Sequence, residues 1–389
     1  MKNTQETKGF VRQKEELALA CREFWLYFRQ HAPEFFAVIN QNRRDAPADV
    51  DEKFFQKIAP LLEKISDGFF FLAGKYDEHT AELILTAEGN LKIFALIETL
   101  VAAAPALENW KITALKPPID IENCCILMGD QRFDKDNISF YLEENPEYPE
   151  EINLVVIHAD LDEDNRKEIT LGCDVFLDNY LGERYFATAI DNLRIEDKAE
   201  ATHEPLPVDK LQGYLLTQQT RFAANITDTD SMDADAIDPE HYRYSLLEIR
   251  RNDAPHDDDA SAGSEKVIVA LVNDTLLNLN AGALYPWIAV LILPYASHNE
   301  SGMPDEKTQQ LFERVEEDLL AELPPDSGCL YIIRETGDSE RALYFACRDF
   351  REISQTCYYA QQKYAEAFKL DCELYKDRYW RTFQRFTHD

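Results

Sequence analysis

Apolar side chains recur at helical spacing in some stretches of the chain and form alternating or continuous runs in others. Leu17, Cys21, Phe24 and Phe28 form the first helical set and predict an amphipathic helix over about residues 15–30. The same apolar spacing predicts further helices at about 51–65, 91–104, 165–180, 304–323 and 353–364, and a terminal helix. Turn signals and prolines mark the ends of these stretches.

Runs rich in β-branched and aromatic residues predict strands at about 69–75, 81–87, 110–115, 138–142, 154–158, 184–190, 242–250, 266–272, 287–293, 329–334, 342–347 and 367–375. The first two strands predict a hairpin, and Thr336-Gly337-Asp338 predicts another between the strands that flank it. Mixed helices and strands favour an α+β fold. We expect two ferredoxin-like α/β sandwich domains with mostly antiparallel sheets, preceded by an N-terminal helical segment.

The length of 389 residues indicates two domains. We place the helical segment at 1–66, the first domain at 67–200 and the second at 207–389, with acidic loops at 226–240 and 252–265. Both halves contain a strand, an acidic loop, a helix and a strand. A diverged duplication and two unrelated α+β sandwiches both fit that pattern.

Charge restricts the possible partners. The chain carries 73 Asp and Glu against 40 Lys and Arg, a net charge of −33, which repels nucleic acid and anionic membranes. The first twenty residues contain no apolar h-region, so we expect that they are not a signal peptide, and the longest apolar run, residues 283–295, is too short to span a bilayer. We expect a cytoplasmic protein without nucleic acid or membrane partners, whose eight cysteines are reduced and mostly buried. A basic protein is the partner that this charge favours.

One histidine and several carboxylates follow the apolar strand at 154–158. His158, Asp160 and Asp162 could serve as the acid–base set of a metal-assisted hydrolase, and His158, Asp160 and Asp164 could bind a divalent metal. An acidic helix start predicts the same composition without any site, and we favour that interpretation. Glycine-rich phosphate loops, nucleophile elbows and zinc-type histidine pairs are absent from the sequence. We therefore predict no catalytic residue, cofactor or bound metal.

The last third of the chain resembles the bacterial family catalogued as domain of unknown function 695, over about residues 285–386. The resemblance lies in YPWIAVLILPY, in Gly302-Met303-Pro304 before a glutamate-rich helix, in the hairpin LYIIRETGDSERALYFACRDF, and in a closing Asp377-x-x-Trp380. The stretch from 81 to 118 and Leu181-Gly182-Glu183 are similar to segments found with this domain in longer relatives. The family has no established activity, so the resemblance implies a fold and no catalytic residues.

These observations favour a non-enzymatic protein-binding or regulatory module. Its most specific form is an inhibitor or immunity-type protein that binds a basic nuclease, since an acidic surface attracts a basic partner. The metal-assisted hydrolase with a site near His158 is the enzymatic alternative. A structural module whose acidity only maintains solubility is the third.

Overall fold

A computed structural model describes residues 9–40, 50–227, 238–251, 266–279, 281–297 and 302–387. Contacts divide the chain into two compact units. The N-terminal unit is Leu17–Asp228, and the C-terminal unit combines Met1–Glu16 with Thr229–Asp389. The domain limits drawn from the sequence stay predictions. Most of both predicted acidic loops, residues 228–237 and 252–265, lies outside the described residues.

The first helix of the chain is longer than the sequence predicted. Helix α1 spans Val11–Asn40, because Phe35, Val38 and Ile39 extend its buried stripe. The other helices of the N-terminal unit are α2 (Gln56–Glu63), α3 (Leu91–Ala102), α4 (Arg166–Leu181), α5 (Glu183–Ala189) and α6 (Leu211–Thr227). A π-helical turn at Asp51–Phe55 leads into α2.

The strands of the N-terminal unit form three sheets. They are β1 (Phe70–Lys75), β2 (Ala81–Thr86), β3 (Trp110–Ala114), β4 (Ile126–Met128), β5 (Gln131–Phe133), β6 (Ile138–Glu143), β7 (Asn153–His158), β8 (Asn192–Glu196) and β9 (Leu206–Pro207). The predicted hairpin is β1–β2, and β3 joins β2 in parallel. The largest sheet has the order β8-β7-β6-β9, with β7 and β8 parallel. Helices α4 and α5 make the crossover that two parallel neighbours require.

The strand predicted at 184–190 is wrong, since residues 184–189 lie in helix α5. The carboxylate of Glu183, at the first position of α5, is fully buried. It accepts hydrogen bonds from the Thr86 hydroxyl (2.6 Å) and from the amides of Ala87 (2.9 Å), Gly89 (3.0 Å) and Lys116 (3.0 Å). This long-range set of donors fixes the start of the helix. Because these donors are distant in the chain, the pattern of neighbouring residues does not predict where this helix starts.

The C-terminal unit contains a six-stranded sheet in which every pair of neighbours is antiparallel. Its order is β10-β11-β13-β14-β12-β15. The strands are β10 (Tyr244–Arg251), β11 (Lys266–Asn273), β12 (Trp287–Pro294), β13 (Cys329–Gly337), β14 (Glu340–Cys347) and β15 (Asp371–Lys376). Helix α7 is Asp274–Leu277, α8 (Glu306–Glu322) joins β12 to β13, and α9 (Phe350–Tyr364) joins β14 to β15.

Both faces of this sheet are covered. On one face α9 packs over β12, with the Phe350 and Trp287 rings 4.9 Å apart. On the other face Trp380, Phe383 and Phe386 join the core formed by alternate strand residues. These three aromatics lie in or beside a 3₁₀ helix, Arg381–Phe386, so the terminal helix predicted from the sequence is a short 3₁₀ helix. The chain enters this segment through Trp380 in the left-handed conformation.

The family-like hairpin carries a buried ion network. Arg341 is 3 % exposed and donates to the Thr336 hydroxyl (2.9 Å), to Glu316 Oε1 (2.8 Å) and to Gln309 Oε1 (2.8 Å). Its guanidinium also lies 4.6 Å from the centre of the Phe312 ring. Burial lowers the pKa of Arg341, and the Glu316 carboxylate opposes that shift. The threonine and the arginine of the motif therefore hold the hairpin against α8.

Residues at the start of the described chain complete the C-terminal unit. The amide of Gly9 donates to Asp318 Oδ1 (2.8 Å), and Lys363 Nζ donates to the Gly9 carbonyl (3.1 Å) and to Asp318 Oδ2 (2.5 Å). The Phe10 side chain is fully buried. Since Asp318 lies on α8 and Lys363 on α9, one short segment bridges both helices of this unit.

Within the described ranges, no helix is long and apolar enough to cross a membrane.

Candidate functional site

An acidic cleft lies in the N-terminal unit where β6 ends and β7 begins. It has a volume of about 180 Å³. The loop at 144–152 and helix α6 form its walls, and the buried side chains of Ile152 and Phe222 are part of its lining. The remaining lining residues are Leu142, Glu143, Glu144, Asn145, Pro146, Pro149, Glu151, Asn153, Gln218 and Arg221.

Local hydrogen bonds hold the loop that forms this cleft. The Asn145 side chain accepts from the Glu147 amide (3.0 Å), and the Asn145 carbonyl accepts from the Tyr148 amide (3.0 Å). At its far end, the Ile152 amide donates to Asp191 Oδ2 (2.8 Å). An asparagine that bonds the backbone two residues on is typical of a tight turn. The loop is thus anchored at both ends.

Charge in the cleft is predominantly negative. Glu143, Glu144 and Glu151 face one cation, Arg221, among the lining residues. Glu143 also pairs with Arg194 on β8 at 3.0 Å, where the arginine is half exposed. Exposed pairs of this kind contribute little to stability. The cleft can therefore accept a single cationic side chain with an apolar stem.

His158 lies at the other end of β7, about 17 Å from the Asn153 end at the usual rise of a strand. Its side chain is 1 % exposed. The ring atom Nε2 lies 2.9 Å from the Arg132 carbonyl, and Nδ1 accepts from the Asp160 amide at 3.2 Å. The carbonyl partner requires a proton on Nε2 and leaves Nδ1 as the acceptor. Both ring nitrogens are therefore bonded to backbone groups, one in strand β5 and one in the turn after β7.

The carboxylates that follow His158 form an exposed turn before α4. Asp162 Oδ1 accepts from the amides of Asp164 (2.9 Å) and Asn165 (2.9 Å). The Asn165 side chain accepts from the Asp162 amide (2.9 Å) and donates to the Asp160 carbonyl (2.8 Å). These hydrogen bonds stabilise the turn before α4, and the Asn165 side chain makes no cap to the helix itself. The structure brings the Asp160 amide, rather than an array of carboxylates, to the His158 ring.

Over the part of the chain that the structure describes, no group of three or more His, Cys, Asp or Glu side chains could hold a metal ion. His158, Asp160, Asp162 and Asp164 thus lie close in sequence and around one turn without forming such a group.

The sequence did not predict the cleft, because it did not predict helix α6, which forms one of its walls. Gln218 and Arg221 line the cleft from this helix, whose last residues, 226–227, fall within the stretch predicted as an acidic loop. A signal was present in the buried side chains of Leu211, Leu215 and Phe222, which recur at helical spacing.

The structure is that of an α+β protein with a small cleft lined mainly by acidic residues. Residues 261–387 match the family model DUF695, which is described as a family of unknown function. The matched residues cover most of the C-terminal unit, and the cleft lies in the other unit. No curated protein and no solved structure matched the chain.

Proposed function

We propose that this protein is a non-enzymatic protein-binding or regulatory module that takes up a basic side chain of its partner in the acidic cleft. The observation that carries the proposal is the cleft itself: three glutamates around about 180 Å³, above the buried side chains of Ile152 and Phe222. A lysine or arginine combines an apolar stem with a cationic head and matches such a lining.

The net charge of the whole chain acts in the same direction. At −33 it attracts a basic protein over longer distances and raises the association rate, whereas the cleft supplies local selectivity. An inhibitor or immunity-type protein of a basic nuclease is the most specific form of this proposal. Such a partner carries a dense positive surface because it must bind nucleic acid.

The test compares two variants of equal charge in a pull-down at low salt. The cleft variant combines Glu143→Gln, Glu144→Gln and Glu151→Gln. A control variant combines Glu63→Gln, Glu78→Gln and Glu108→Gln, which are exposed residues of the same unit. We expect at least one basic protein to be retained by the wild type and by the control variant, and to be lost from the cleft variant. If no basic protein shows this difference, the proposal fails.

The metal-assisted hydrolase near His158, Asp160 and Asp162 is tested separately by thermal unfolding with divalent metal and with a chelator. That alternative requires metal to raise the melting temperature of the wild type but not of Asp160→Asn with Asp162→Asn. These substitutions preserve size at exposed positions. An equal melting temperature with metal and with chelator removes the basis for the hydrolase, because a ligand that binds the folded state must stabilise it.

We also infer that the C-terminal unit has ferredoxin-like character. In chain order, β12, α8, β13, β14, α9 and β15 form a β-α-β-β-α-β unit, and their strands have the spatial order fourth, first, third, second. Strands β10 and β11 extend that sheet beyond β13. Free cysteines throughout the chain favour a reducing compartment, so we propose a cytoplasmic location.

A further inference from the structure

A second surface of the N-terminal unit has the opposite character from the acidic cleft. It is a shallow groove of about 310 Å³ between α1 and the end of α3. Ala18, Arg22, Trp25, Leu26 and Arg29 line it from α1, and Ala103 and Pro105 line it from the other side. Its side chains are apolar except for the two arginines. Leu26 is 50 % exposed although its neighbour Trp25 is buried.

The two arginines of this groove are exposed and have no ion-pair partner in the part of the chain that the structure describes. Among the described residues, neither Arg22 nor Arg29 forms an ion pair or a side-chain hydrogen bond. The helix positions three and four residues from each arginine hold the following residues, none of them acidic: Ala18, Leu19, Trp25, Leu26, Ala32 and Pro33. In a chain with 73 acidic residues, α1 therefore carries an acid-free stripe with two free cations.

The spacing of these cations restricts what can bind. Arg22 and Arg29 are seven residues apart on one helix, which places them about 10.5 Å apart along its axis. That spacing offers two separate cationic positions along one face of the helix. Two carboxylates seven positions apart on a partner helix have the same separation, with room for apolar side chains between them.

We propose that this groove binds an acidic amphipathic helix of a partner protein. Its two carboxylates would pair with Arg22 and Arg29, and the leucine-sized side chains between them would cover Leu26 and Pro105. Charge complementarity selects this occupant, since the groove is lined by two arginines and no acidic residue. The arrangement follows the general mode in which an amphipathic helix lies in an apolar groove. It is independent of the acidic cleft, which takes a basic group.

The test measures binding of a labelled helical peptide by fluorescence anisotropy. The peptide carries two glutamates seven positions apart with two leucines between them. A second peptide has glutamine in place of both glutamates. Measurements are made near 0.15 M salt, where repulsion from the net charge is screened beyond about 8 Å. We expect the wild type to bind the glutamate peptide about tenfold or more tightly than the glutamine peptide.

A matched pair of variants assigns that binding to the groove. Arg22→Glu with Arg29→Glu reverses its charge, whereas Lys64→Glu with Lys75→Glu makes the same charge change at exposed positions of the same unit. We expect the affinity of the groove variant for the glutamate peptide to fall about tenfold or more, and the control variant to keep most of its affinity. If the groove variant fails to fold by circular dichroism, Arg22→Gln with Arg29→Gln replaces it.

Three results would overturn the proposal: equal loss in both charge-reversed variants, equal affinity for both peptides, or no peptide binding by the wild type. Binding to anionic lipid vesicles that depends on Arg22 and Arg29, without binding to the peptide, would assign the groove to a membrane surface instead.

Discussion

Glu183 shows how much one buried side chain can determine. Its carboxylate accepts from four donors on residues 86, 87, 89 and 116 and joins two loops to the start of α5. Buried carboxylates persist only when hydrogen bonds replace the lost water. The sequence motif Leu181-Gly182-Glu183 is thereby explained as a structural connection.

Replacing Glu183 with glutamine should reduce the free energy of unfolding by about 3 kcal/mol, because an amide group would face the backbone donors and leave some unsatisfied. Urea unfolding followed by tryptophan fluorescence measures this change, since Trp25 and Trp110 lie in the N-terminal unit and Trp287 and Trp380 report on the other unit. Glu163→Gln, at an exposed position, is the control and should change stability by less than about 0.5 kcal/mol. Equal stability of both variants would contradict the structural role of Glu183.

The thiols differ sharply in exposure. All eight cysteines are free, seven are buried and Cys125 is exposed. Burial raises the pKa of Cys21 and of Cys124 to about 11 and that of Cys173 to about 12. A thiol with a pKa near 11 is deprotonated in only about one molecule in a thousand at pH 8, and the thiolate is the nucleophile.

Titration of the native protein with a thiol reagent at pH 8 should therefore modify Cys125 rapidly and the seven buried cysteines only after denaturant is added. Absorbance of the released chromophore gives the count, and Cys125→Ser should abolish the rapid phase. Rapid modification of several thiols in the native protein would contradict the burial described here.

Two helices of the N-terminal unit each contain a glycine, and the space around the two glycines differs. A methyl group at Gly172 in α4 would lie 1.9 Å from Cζ of Phe133, whereas one at Gly213 in α6 meets nothing within 4 Å. Gly172 allows α4 to pack closely on β5. Gly213 occupies an open helical position, where it only increases the entropy of the unfolded chain.

Alanine should accordingly destabilise at one position and stabilise at the other. We expect Gly172→Ala to lower the free energy of unfolding by about 3 kcal/mol through overpacking. Gly213→Ala should raise it by about 0.5 kcal/mol through helix propensity. The midpoints of urea unfolding, compared with the wild type where the slope of unfolding free energy against urea is unchanged, show the sign of each effect. An unchanged stability of Gly172→Ala would contradict the close packing of α4.

Much of the element pattern follows from the sequence. The hairpins β1–β2 and β13–β14, and helices α3, α4, α8 and α9, correspond to predicted segments because each combines periodic apolar residues with clear turn signals. Helix α6 was missed because its C-terminal residues adjoin an acidic run. The cleft could not be predicted, because the loop at 144–152 and α6 meet across more than 60 residues of chain.

At the scale of the whole molecule, unlike properties lie on separate surfaces. The cleft near Glu144 is acidic and the groove at Arg22 and Arg29 is basic, whereas the whole chain carries a net charge of −33. Repulsion among so many like charges opposes the compact state and weakens as salt screens it.

Added sodium chloride should therefore raise the melting temperature by a few degrees, with most of the rise below about 0.15 M, where the Debye length shortens most. Differential scanning fluorimetry across a salt series measures it. Sodium sulfate at equal ionic strength separates screening from salting-out, since sulfate also strengthens hydrophobic burial. A melting temperature that falls with sodium chloride would show that favourable ion pairs outweigh the net repulsion.

The bridge formed by Gly9 has a consequence for the order in which the protein folds during synthesis. Gly9 and its partner Asp318 are 309 residues apart, and the whole N-terminal unit is encoded between them. At ribosomal rates of about 5–20 residues per second, Gly9 and Phe10 leave the ribosome roughly 15 to 60 s before Asp318 is made. The N-terminal unit can therefore finish folding first, while a segment with a large apolar side chain waits for α8 and α9.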